Sequence, residues 1–142
     1  MGLSSAFRIL VRPVGWSIGV AAIAVSIIFL IGSWLGAPME VTVGDEAITL
    51  GLWDFALFAA AAVAIGGMIA VLLLAWVPFA GWIFAAMAML VFAVFLIPPF
   101  AGTDDGGTLI TLIMAHIATL APVLILIVPT MLAPPVDVDL TV

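Results

Sequence analysis

Two ionisable side chains fall inside long apolar stretches of this sequence, Asp54 and His116. A titratable group in hydrocarbon is costly, so it is kept mainly where it binds, relays or pairs. A carboxylate and an imidazole together can pass a proton or hold a polar headgroup. Asp54 stands in the first turn of one apolar run, and His116 about two turns into another. If both runs are helices counted from the same side, the two residues differ in depth by roughly 9 Å. Thr111 and Ser33 fall in the same layer, and the four form a candidate ligand pocket. Plainer roles compete with this one. Asp54 suits the positive end of a helix macrodipole, and His116 can serve simply as a hydrogen bond between helices.

Other chemistry finds little support. Catalysis needs several converging polar groups, and no catalytic residue is assigned. Without cysteine there is no thiol nucleophile, disulfide or thiolate metal site. One histidine supplies a single haem ligand, with Met87, Met89 or Met114 as conceivable seconds, but methionine in an apolar helix is ordinarily packing. Haem is therefore not expected, and no cofactor or metal is assigned. Asp104 and Asp105 are adjacent acids in a glycine-rich loop, where solvation accounts for them.

The composition dictates what must position Asp54 and His116. Of 142 residues, 68% are hydrophobic and 7% charged, against about 25% charged in soluble domains. A soluble domain of this size cannot hide so much apolar surface, whereas lipid removes the problem. A hydrocarbon core about 30 Å thick needs roughly 20 helical residues. Four runs qualify, at about 14–35, 52–76, 79–97 and 108–132. Their unbroken apolar character excludes the alternation of barrel strands. The expected fold is an all-α membrane protein, a single four-transmembrane-helix bundle over 1–142. Trp16, Trp34, Trp53, Trp76 and Trp82 all lie near span ends, where indole favours the membrane interface.

Arg8 and Arg12 precede the first run, so the positive-inside rule puts both chain termini in the cytoplasm of a plasma-membrane protein. The apolar run after them is too long for an ordinary signal peptide, so an uncleaved first span is expected. Loops 36–51 and 98–107 then face outside. In the first of them, Met39–Val43 and Glu46–Leu50 flank Gly44-Asp45, the pattern of a short extracytoplasmic β-hairpin between helices 1 and 2. Pro98-Pro99 is expected to stop the third helix, and Thr103 or Asp105 to cap the fourth. Ser4–Val11 reads as a short interfacial helix, Ala133–Val142 as an extended tail. Ala62, Gly66 and Ala70, and Gly15 with Gly19, recur every four residues, a spacing that lets another helix approach closely. The predominance of alanine in helix two produces such a stripe by chance as well. Pro122 and Pro129 interrupt the last span, either as an ordinary kink or as a site-lining break.

The order of features resembles a family of uncharacterised four-helix bacterial membrane proteins, mostly actinobacterial, with a lone histidine in the last helix. The resemblance rests on the Leu35-Gly36-Ala37-Pro38 exit with its β-prone loop, the Ala/Gly-rich second helix, and Leu112-Ile113-Met114-Ala115-His116-Ile117. It covers about residues 14–132 and implies no activity. The small size and tight loops point first to an accessory or structural subunit of a membrane complex, or a self-associating scaffold. The alternative is a binding protein or carrier for a small lipophilic or protonatable ligand, with its pocket in the outer half. Expected partners are the lipid bilayer and other membrane subunits or further copies of the chain. No basic patch supports nucleic-acid binding.

Overall fold

The computed structural model describes residues 2–133. In chain order the elements are α1 (Leu3–Trp34), β1 (Glu40–Val43), β2 (Glu46–Thr49), α2 (Leu52–Trp76), α3 (Ala80–Phe95), α4 (Ile97–Gly102) and α5 (Gly106–Pro122). A π-helical turn (Val123–Ile127) and α6 (Val128–Leu132) complete the last span. Four helical segments are long and apolar enough to cross a bilayer: Leu3–Trp34, Leu52–Trp76, Ala80–Gly102 and Gly106–Leu132. The expected tail beyond Ala133 lies outside the described residues.

Helix α1 begins eleven residues before the expected first span and has no separate interfacial helix ahead of it. It runs through Arg8, Arg12 and Pro13 because Ala6 and Leu10, one turn apart, are fully buried. The arginines point outward from this buried stripe. Phe29 stacks on Phe55 of α2 with ring centroids 5.1 Å apart, and Val14 packs on Gly67. Both contacts agree on one antiparallel register. In that register Arg8 is level with the end of α2 near Trp76, and Arg12 lies about one turn deeper. Long arginine side chains reach headgroups from such depths by snorkelling.

This register sets the levels of the tryptophans relative to one another. All five tryptophans are exposed, but Trp16 is level with about residues 65–68 of α2. It therefore sits roughly 12–17 Å deeper than Trp76 at 1.5 Å per residue. Trp76 and Trp82 flank the α2–α3 turn, Trp34 and Trp53 lie toward the opposite end of the bundle, and Trp16 lies between these levels. Single-tryptophan variants in bilayers with brominated lipids test this. Trp16 fluorescence is expected to be quenched best by bromines deep in the acyl chain, and that of Trp76 and Trp82 by shallow ones. Identical depth profiles for Trp16 and Trp76 would refute the register.

The hairpin forms as the sequence pattern indicates. Val43 pairs with Glu46 across a two-residue Gly44-Asp45 turn, with Gly44 at φ 66°, where glycine carries no Cβ penalty. Met39 anchors its base. Its N–H donates to Thr108 Oγ1 at 3.1 Å, and its carbonyl accepts from Leu50 N–H at 2.8 Å. These bonds hold the buried Met39 at φ 56°, a left-handed conformation rare for a side chain of its size. Helix α3 ends at Phe95, just before Pro98 and Pro99, as expected. They open α4, because proline is tolerated in a helix's first turn, and α4 carries the hairpin: Gly102 lies under Thr42 and Val41.

Asp105, not Thr103, caps α5. Its carboxylate accepts from Thr108 N–H at 2.6 Å, and this bond holds the carboxyl below the usual aspartate range. Farther along the last span, the π turn sits between Pro122 and Pro129. Its wider i→i+5 bonding, with Val128 N–H donating to Val123 carbonyl, opens room for a proline ring that would otherwise clash with the preceding turn. Buried Ser17 of α1 donates to the Pro122 carbonyl at 3.2 Å, pinning this break to the bundle.

Close helix contacts are made by other glycines than the expected ones. Gly67 of α2 meets Val14, Gly32 of α1 meets Thr111 and Met39, and Gly81 of α3 meets Leu132. A Cβ on Gly15, Gly19 or Gly66 would touch nothing within 4 Å. Ala62 is exposed, and only Ala70 of the expected stripes is fully buried.

Candidate ligand-binding cleft

The geometry of α3 creates the site. One end is seated by buried Ala80, Gly81 and Phe84, with Gly81 against Leu132 of α6. The other end continues into α4, held by buried Pro99 and the hairpin. Between these anchors α3 stands off from α2 and α5, leaving a cleft of about 720 Å³. Binding sites for small molecules commonly enclose about 300–1,000 Å³.

Each wall is one helix face. Helix α3 contributes Phe84, Met87, Ala88, Val91, Phe92 and Phe95; α5 and the π turn contribute Leu112, Ala115, His116, Thr119, Leu120 and Val123. Both sets recur at three- and four-residue steps, the period of a helix stripe. Helix α2 supplies the third wall, from Asp54 to Ile69, and Val25 of α1 joins the floor. Floor residues such as Ala59, Val63 and Leu112 are buried, whereas Phe58, Ala62, Ile65, Val91 and Phe95 are exposed along the rim. The cleft is thus open sideways, toward where lipid would lie.

Asp54 and His116 both line this cleft, from different helices. Asp54 sits at the third position of α2, and its Oδ2 accepts from Gly51 N–H at 2.7 Å. That bond satisfies one of the free N–H groups at the helix start and leaves the second carboxylate oxygen without a donor among the described residues. His116 Nδ1 is 2.7 Å from the Leu112 carbonyl. A carbonyl can only accept, so Nδ1 carries a proton. Among the described residues no group bonds Nε2, and Asp54 and His116 do not bond to each other. A direct carboxylate–imidazole relay is not formed.

The other two residues of the expected pocket are elsewhere. Thr111 is buried, donates to the Gly107 carbonyl at 2.8 Å and faces Gly32. Ser33 is exposed on α1 and does not line the cleft. Thr119 takes their place. It lies three residues after His116, one helical turn along the same face, and its hydroxyl donates to the Ala115 carbonyl at 2.8 Å. That i+3 relation was the signal for it in the sequence. Ala62 and Gly66 join the lining as well, so the small-residue stripe of α2 gives the cleft width.

No curated protein and no solved structure shows significant similarity to the chain. A family model does match, over residues 5–134, taking in every element of the bundle and all three polar residues of the cleft. The chain therefore belongs to DUF6069, a family of unknown function.

Proposed function

We propose that the protein binds or carries a small lipophilic or protonatable molecule in the cleft between α2, α3 and α5. One observation carries this reading. The sole histidine and the one acid within the four spans, 62 positions apart in sequence, line one apolar cavity. A ligand would enter sideways from the bilayer, bury its apolar body between the helices and meet Asp54 toward one end of the cleft and His116 and Thr119 farther along it. The test is native purification followed by organic extraction. A compound enriched over bulk lipid should accompany the wild-type chain and be lost from the Asp54→Asn/His116→Ala double variant, with thermal stability retained. Equal recovery from both proteins would sink the reading.

A second reading is the accessory subunit or self-associating scaffold. It draws on the rim, where exposed Ala61, Ala62 and partly covered Gly66 leave room for a neighbouring helix. In that case the enriched species would be a protein. Either reading suits a bacterial plasma membrane, in keeping with the resemblance to mostly actinobacterial proteins. The outward-facing Arg8 and Arg12 support cytoplasmic termini and an extracytoplasmic hairpin.

A further inference from the structure

The hydrogen-bonding polarity of the cleft narrows the ligand class. The polar side chains on its walls spend their donors on the helix backbone. The Thr119 hydroxyl spends its proton on the Ala115 carbonyl, leaving oxygen lone pairs. His116 donates from Nδ1 to the Leu112 carbonyl, and in the Nδ1–H tautomer Nε2 is an acceptor. The Asp54 carboxyl accepts from Gly51 N–H with Oδ2, and its other oxygen is unclaimed among the described residues. The N–H groups at the start of α2 that lack a carbonyl partner belong to Leu52 and Trp53, which do not line the cleft. Lining backbone donors farther along the helices are taken up by helical bonds.

An array of acceptors selects a donor. It also rejects an acceptor-only ligand, whose polar atoms would be stranded unpaired in an apolar site. The charge has the same sense, since the walls carry a carboxylate and neither Lys nor Arg. Five phenylalanines, Phe55, Phe58, Phe84, Phe92 and Phe95, surround the space, and aromatic faces attract cations. The cleft follows α2 from Asp54 to Ile69, roughly 22 Å of helix, so the body that fills it is elongated.

We infer that the ligand is a lipophilic amine: an ammonium or amine group held by Asp54, with an extended apolar body running along α2 and α3 past His116 and Thr119. This inference rests on the ligand-binding reading above.

A set of four probes with one tail tests it: dodecylamine, dodecan-1-ol, methyl dodecanoate and dodecanoate, titrated into the full chain in a neutral maltoside detergent. The readout is the imidazole nitrogen resonances of the single histidine. Dodecylamine is expected to bind at least about tenfold tighter than methyl dodecanoate, the difference one charge-assisted hydrogen bond supplies. The alcohol should fall between them and the carboxylate last. Asp54→Asn, whose amide oxygen can still accept from Gly51 N–H, should erase the preference for the amine without unfolding α2. Equal binding of all four probes would overturn the amine inference while leaving the cleft as a binding site. No resonance shift with any probe would overturn both.

Discussion

Gly66→Ala and Gly67→Ala, adjacent on α2, are expected to change stability in opposite directions. A Cβ at Gly67 would stand 2.5 and 2.8 Å from the two methyl carbons of Val14 and 3.3 Å from its Cβ. Valine in a helix is confined largely to one rotamer, so it cannot swing away, and α1 must shift as a whole. Overpacking of this kind costs about 1–3 kcal/mol. At Gly66 the same methyl meets nothing within 4 Å. Alanine there removes glycine's helix penalty and stabilises by about 0.5–1 kcal/mol. Thermal unfolding of both variants in one detergent gives the comparison. A destabilised Gly67→Ala beside an unharmed Gly66→Ala supports the α1–α2 register. Equal effects would remove the basis for placing Trp16 deep in the bilayer.

Those two glycines also show where sequence reasoning stops. Four apolar runs, a Gly-Asp hairpin turn and a capping aspartate before the last helix are local signals. Each follows from composition or from residues within a few positions, and the structure has all of them. Which of two neighbouring glycines touches another helix is not local. It depends on the rotation of α2 about its axis, which a helix alanine-rich on every face does not specify. The start of α1 was obscured for a different reason. Arg8, Arg12 and Pro13 lower the hydropathy of a helix whose other face, at Ala6 and Leu10, is buried. Pro98-Pro99 marked the end of α3, but the same pair also suits a helix's first turn, and that it opens α4 shows only with the hairpin seated there. At the candidate site, Asp54 and His116 stood out because they are ionisable in apolar surroundings. Thr119 did not, since threonine in such helices commonly bonds back to its own carbonyls. Only its position on the His116 face gives it a role.

The central claim is that the cleft is an occupied binding site, and filling it is the most direct challenge. Ala62 lies on the rim, exposed and already lining the space. Ala62→Trp would place an indole across the cleft without displacing a buried side chain, and exposed positions ordinarily tolerate substitution to within about 0.5 kcal/mol. The measurement is the intact mass of the native protein released gently from detergent, wild type beside Ala62→Trp. Wild type is expected to carry one small molecule per chain, of a mass distinct from bulk phospholipid, and Ala62→Trp to be bare at an unchanged unfolding temperature. A wild-type chain that is bare, or that carries the same adduct as Ala62→Trp, would contradict the claim.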